Sequence, residues 1–277
     1  MKILFFAPYI YDLNHNEFTR TSSGFGYMVN DILKEVSKLQ ETYLLTHQFT
    51  KGYKESYIAC RHTKLDFIKH IQLRDVYCGL KFFFSSKVPF KNRIRYVYYY
   101  LNRGSIEFCF KKINPDIIHI HGLTFQTKPI VELCKKQGYK YIVTLHGLNG
   151  LNESVNLPQI EKDYEYLALR ELEKDRIITT VVSSGVKKNI MSMYQLSGEH
   201  IVVILNGTHV KKVNINNKVC KDKKSKKYHI LCIGTVEERK NQMQLLRACA
   251  LLPEEIKRKL EVHIIGGKSE NIDIDKE

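Results

Sequence analysis

The sequence predicts an α/β fold: a parallel sheet covered by helices on both faces, then the opening elements of a second unit of the same kind. Three observations carry this. Short apolar runs alternate with helix-periodic ones along residues 2–205, the order that lays parallel strands side by side with crossover helices between them. The alternation restarts at residue 228 with a strand pattern that ends in Gly234, then a turn and a helix-patterned run to Leu252. Between the two regions, residues 211–227 hold eight Lys against one Asp and almost nothing apolar, which marks a linker or exposed loop. The expected domains are therefore residues 1–207 and 228–277, joined by residues 208–227.

The elements follow in order. Residues 2–7 read as a buried strand. After a polar loop, Gly24-Phe-Gly26 precedes Met28, Val29, Ile32, Leu33, Val36 and Leu39 at helical spacing. Residues 42–46 read as a second strand and residues 57–60 as a third. Residues 64–112 are less regular, with a helix near 92–112 that stops before Pro115. Strands then fall at 116–120, 140–145, 177–182 and 201–205, separated by helices at 126–137, 159–174 and 185–194. Residues 260–265 close the second region as one more strand.

Composition narrows the function classes. With 277 residues, 43% of them apolar, the chain can build one large or two ordinary cores. No run of about 18 apolar residues occurs, and the apolar stretch at residues 3–10 is too short, and too soon followed by Asp12, for a signal peptide. A cytoplasmic protein is expected. Its seven cysteines are scattered, odd in number and without a Cys-x-x-Cys pair, so reduced thiols are expected rather than disulfides or a zinc site. The sequons at Asn152 and Asn206 are without meaning there. The net charge of +15 is concentrated, because residues 81–112 and 211–227 each hold eight cations against one carboxylate. Local patches of this kind mark surfaces that meet something anionic. No nucleic-acid-binding motif accompanies them, so a nucleic-acid partner is not expected.

Three groups of residues are candidates for chemistry. Gly24 and Gly26 stand where a strand turns into a helix, either as a tight turn without a ligand or as a loop whose backbone N–H groups meet phosphate. His146 ends a strand, and is either satisfied by a nearby carbonyl or presented to a cleft. His119 and His121 are expected to divide between core and cleft. Arg239 and Lys240 stand at a helix start, where cations oppose the helix dipole unless an anion is near.

In chain order these motifs resemble glycosyltransferase family 4, enzymes of the GT-B fold with two facing Rossmann-like domains. The resemblance rests on Ser22-Ser-Gly-Phe-Gly26, Pro115-Asp-Ile-Ile-His-Ile-His-Gly122, Tyr141-Ile-Val-Thr-Leu-His-Gly147, Val181-Val-Ser183, Val203-Ile-Leu-Asn-Gly207 and Gly234-Thr-Val-Glu-Glu-Arg-Lys-Asn241. It implies transfer of a sugar from a nucleotide-sugar donor to a glycan or lipid-linked acceptor with retention of configuration, without a metal or other cofactor, in bacterial surface-polysaccharide assembly. Gly24, Phe25, Gly26, Arg239 and Lys240 would hold the donor diphosphate, and His146 would be the catalytic residue beside the donor sugar.

Two departures stand out. Thr235 occupies the position where many family members carry an arginine, a role Arg239 could take. The family's pair of glutamates that grips donor sugar and ribose lies further along than this sequence runs. The resemblance therefore implies an incomplete donor-side domain; the alternative expectation is a non-catalytic truncated or split member that binds acceptor or membrane and needs a second polypeptide for donor binding.

The cations of residues 81–112, among them Lys81, Lys87, Lys91, Arg93 and Arg95, are interleaved with Phe82, Phe83, Phe84, Phe90, Tyr96, Tyr98, Tyr99 and Tyr100. Such a mixture suits an anionic membrane surface, the stacking of nucleic-acid bases, or an ordinary half-buried helix with a charged face. In the resembled family this region faces the acceptor, which implies peripheral contact with the inner face of the membrane.

Overall fold

The computed structural model describes residues 1–12, 24–148, 150, 158–207, 227–236 and 240–267. It divides into two compact units, residues 1–207 and 208–277. The lysine-rich segment at 208–226 lies outside the described residues.

In the first unit, β1 (Lys2–Ala7), β2 (Glu41–Thr46), β3 (Tyr53–Lys54), β4 (Ile58–Ala59), β5 (Ile117–His121), β6 (Tyr141–Leu145), β7 (Thr179–Val181) and β8 (Ile201–Val203) form one sheet. Its order is β3-β4-β2-β1-β5-β6-β7-β8. Every pairing is parallel except that of the short edge strand β3 with β4. Strand β1 shows why its sequence is continuously apolar. Leu4 and Phe6 enter one core and Phe5 and Ala7 the other, so successive side chains are buried on opposite faces.

The helices take the face that right-handed crossovers assign them. Helix α1 (Gly24–Ser37) links β1 to β2 and places Val29 and Leu33 against Phe5 and Leu44. The chain then moves the other way across the sheet. Helices α4 (Phe90–Ile113), α5 (Lys128–Gln137), α6 (Gln159–Lys174) and α7 (Ser184–Tyr194) cover the opposite face through Ile106, Phe110, Ile130, Leu133, Leu169, Leu172 and Ile190.

The region expected to be irregular contains α2 (Lys64–Lys69) and α3 (Leu73–Ser85), which packs on α4. Helix α2 starts in a capping box in which Thr63 Oγ1 accepts from the Asp66 N–H and the Asp66 carboxylate accepts from the Thr63 N–H. Gly104 lets α4 approach the end of α2, since a Cβ there would lie 1.9 Å from the His70 carbonyl oxygen. Beside it the Arg103 guanidinium meets the buried Asp75 carboxylate, Nε donating to Oδ1 at 2.7 Å.

The second unit comprises β9 (Tyr228–Ile233), α8 (Gln242–Ala250), α9 (Glu254–Lys257) and β10 (Leu260–Ile265), with β9 and β10 parallel and in register. Among the described residues, the six cysteines are free thiols and no helix is long and apolar enough to cross a membrane.

Candidate active site

The strand order reverses between β1 and β5, because the chain leaves β1 toward β2 on one side and leaves β5 toward β8 on the other. In open parallel sheets, ligands bind outside the carboxyl ends of the strands at such a switch point. Here the ends of β1, β5 and β6 bring together the first turn of α1, His121 and His146. These are elements far apart in sequence.

His146 directly follows β6. One of its ring nitrogens, Nε2, shares a proton with His121 Nδ1 at 3.0 Å, and the two rings stack at 5.2 Å with an 8° angle between planes. The Phe25 ring meets His146 edge-on at 5.0 Å. The remaining nitrogens, His146 Nδ1 and His121 Nε2, are buried and have no hydrogen-bond partner among the described residues. A buried polar atom of this kind marks a place where a ligand can supply the missing bond. The expectation that His119 and His121 divide between core and cleft is corrected. Residues two apart on a strand share a face, and their rings lie 4.2 Å apart, both against Phe5. His119 bonds Thr144 Oγ1 at 2.6 Å, while His121 was missed as a site residue although its position, two beyond His119 at the end of β5, was the signal.

Burial lowers His146 to about 4; burial together with the neighbouring His146 lowers His119 to about 3. Burial, then His119 and His146, hold His121 well below its ordinary value. These imidazoles are neutral in the folded protein. As pH falls below 6.5 the unfolded chain takes up protons that the folded one refuses, so stability is complete above that value and is lost progressively toward 4 and 3. Urea midpoints are therefore expected to fall steadily from pH 7 to pH 4, and His146→Gln to flatten the decline. A constant midpoint over that range would contradict neutral imidazoles here.

Gly24, Phe25 and Gly26 belong to the first turn of α1 rather than to a loop before it. Gly26 is required by packing, because a Cβ would stand 2.7 Å from the Tyr11 backbone nitrogen. Gly24 faces open space, with nothing within 4 Å of the position a Cβ would take. The first turn of α1 is thus presented beside His146, with open space at Gly24. Ser22 and Ser23 lie outside the described residues.

In the second unit Gly234 closes β9 with φ +149°, and the Lys240 stem passes over it, Cε lying 3.8 Å from where a Cβ would stand. The turn is tied down by Gly234 N–H to the Ile265 carbonyl, Val236 N–H to the Gly267 carbonyl and Gln242 Nε2 to the Thr235 carbonyl, each at 2.9 Å. Helix α8 begins just after Lys240, with Asn241 at its N-cap in left-handed conformation and no side-chain cap. An ammonium and uncapped N–H groups at a strand end form an arrangement that can take phosphate. Arg239 lies outside the described residues.

The α3–α4 corner sorts the cationic segment. Tyr96, Tyr99, Tyr100 and Arg103 are buried, as an ordinary packed helix would have them. Arg93 is half-buried and donates from Nε to the Val88 carbonyl at 2.8 Å, while Arg95 donates to Tyr99 Oη at 2.9 Å. Lys81, Lys87 and Lys91 are exposed, together with Phe84 (77%) and Phe90 (65%). A separate cavity of about 350 Å³ lies between α5 and α6, lined by Phe125, Val131, Ile160 and Tyr164 among others; none of the predicted site residues borders it.

Comparison with known proteins shows the family and the fold. A model of Glycosyltransferase Family 4 matches residues 49–212, more than half of the chain. No curated protein matches the sequence. Among solved structures, sucrose-phosphate synthase from Thermosynechococcus elongatus is similar at 11% identity and TM-score 0.64, the match covering 98% of this chain and 64% of that one. Trehalose-6-phosphate synthase from E. coli, bound with UDP-2-fluoro glucose, is similar at 13% identity and TM-score 0.56, covering 98% of this chain and 65% of that one. Both are GT-B glycosyltransferases, and at this identity the likeness is one of fold. The chain thus spans a little under two thirds of each.

Proposed function

Because the chain belongs to glycosyltransferase family 4, we propose that it serves transfer of a sugar from a nucleotide-sugar donor to a glycan or lipid-linked acceptor, with retention of configuration and in surface-polysaccharide assembly. The observation that carries this reading is the neutral His146 at the switch point, stacked on His121, flanked by Phe25, with Nδ1 left without a partner among the described residues. If His121 donates to His146 Nε2, His146 holds its own proton on Nδ1 and offers it to a sugar oxygen. A neutral ring suits this task, since it orients a hydroxyl without placing a cation against the positive charge that grows on the sugar.

The departing diphosphate needs positive charge and N–H donors. Lys240 supplies the first as a point charge, with Arg239 assigned by resemblance to the same task. The uncapped start of α8, beside Lys240, supplies the second. The UDP sugar bound by the E. coli trehalose-6-phosphate structure makes UDP sugars the first donors to try. The test incubates the full chain with a panel of UDP, GDP and ADP sugars and a membrane-lipid extract, and reads sugar-bearing products by mass spectrometry. Product formation from one donor, lost in His146→Ala, is expected; a chain that neither binds nor consumes any of the panel would overturn the reading.

The exposed Phe84, Phe90, Lys81, Lys87 and Lys91 support a second element, contact of the α3–α4 corner with an anionic membrane. Each lysine near such a surface contributes on the order of 1 kcal/mol, so replacing all three with Ala should weaken vesicle binding about 100-fold. Flotation with anionic liposomes reads this directly. Binding at low salt, released at high salt, is expected; no flotation at low ionic strength would refute it.

A further inference from the structure

Away from Gly234 and Lys240, at the opposite end of β9 and β10, three metal-ligating side chains meet. His229 is the second residue of β9 and faces Glu261, its partner in register on β10; His263 lies two residues further along β10, on the same face. His229 Nδ1 is 3.3 Å from His263 Nε2 and 3.3 Å from Glu261 Oε2, and His263 Nε2 is 3.9 Å from that same oxygen. The two imidazole planes lie 20° apart, with ring centroids separated by 5.6 Å.

The triangle these atoms form has a definite size. From the three separations, the point equidistant from all of them is about 2 Å from each atom, which matches Zn–N and Zn–O bond lengths of roughly 2.0–2.2 Å. We propose that His229, Glu261 and His263 bind a divalent transition-metal ion of the zinc class, linking β9 to β10 at their amino ends.

The surroundings suit that ligand set. The Lys227 ammonium pairs with Glu261 Oε1, which leaves Oε2 turned toward the imidazoles. Two imidazoles and a carboxylate favour zinc-class ions over magnesium or calcium, which want oxygen ligands throughout. All three side chains are partly exposed, so an ion reaches them without unfolding and keeps a fourth position for water. The site is set apart from the donor chemistry by the length of β9, roughly 16 Å for five residues. Its role is structural, because an ion there adds a side-chain link to the backbone hydrogen bonds that join β9 and β10.

Cobalt(II) is the probe, followed by its visible absorption in the full chain and displaced by zinc. One equivalent should bind with the spectrum of a nitrogen and oxygen site, without the intense thiolate band that Cys232 or Cys249 would give. His229→Ala and His263→Ala, both at exposed positions, should weaken binding about tenfold or more each while leaving the circular dichroism unchanged. Lys227→Ala should preserve it. Zinc should raise the unfolding temperature of the wild type but not of either histidine variant. Equal affinity in wild type and both variants, a thiolate spectrum, or no saturable binding would each overturn the proposal.

Discussion

Asp75→Ala is expected to lower the stability of the first unit by about 3–5 kcal/mol, with a fall in melting temperature on the order of 10 °C. Asp75 is fully buried, and its partner Arg103 keeps only 9% of its side chain exposed, with Nη2 at 2.5 Å from Asp75 Oδ1. Removing the carboxylate strands a guanidinium in the interior, where Glu132 at 3.5 Å is the nearest other anion. That is the costly half of a buried pair; the pair itself adds little over a well-packed apolar replacement. Asp75→Leu combined with Arg103→Met should accordingly recover most of the loss. The pair joins α3 to α4, so the single variant should also release the corner that carries Lys81, Phe84 and Phe90. Thermal unfolding of both variants checks the argument, and an Asp75→Ala protein as stable as wild type would refute it.

The second large effect separates His146 from Lys240 by what each one changes. His146→Ala should reduce turnover by roughly 10²–10⁴-fold, the range for loss of a positioned proton-transferring or hydrogen-bonding group, while nucleotide affinity stays near wild type. Lys240→Ala should do the reverse, weakening nucleoside diphosphate binding roughly 10–100-fold through loss of a charged hydrogen bond. The contrast follows from geometry. His146 is enclosed by His121 and Phe25 at the end of β6, whereas Lys240 is an exposed ammonium laid over the Gly234 turn. His121→Asn is expected to resemble a mild His146 variant, because it removes the ring that orients His146. Steady-state kinetics with calorimetric nucleotide binding distinguish these outcomes. Equal effects of His146→Ala on binding and turnover would mean that the histidine only shapes the pocket.

How far the sequence speaks depends on which forces act locally. The strands were legible because a parallel sheet buried on both faces demands continuous apolar runs, as in β1, where Leu4 to Ala7 are all buried. Helix α3 was not, since Gly79 interrupts its pattern; the glycine is there for a neighbour, because a Cβ would press on Val97 at 3.3 Å. A residue that reads as a helix breaker in one dimension is a close-packing residue in three. Helix α1 started earlier than its apolar spacing suggested, so Gly24 and Gly26 moved from a loop into a helix turn. At the candidate site, the place of His146 directly after a strand was readable from the apolar run before it. His121 was misjudged by treating residues two apart as facing opposite ways. The His229, Glu261 and His263 cluster needs the register between β9 and β10, and sequence spacing alone does not contain it.

The central claim is that His146, at the switch point of the first unit, meets the sugar of a nucleotide-sugar donor. Nuclear magnetic resonance of the chain with labelled histidine side chains, titrated with the nucleotide sugar that the donor panel selects, tests it in one experiment. The account predicts that the His146 and His121 signals shift together along one saturable binding curve. No response at His146 at saturating donor would contradict it.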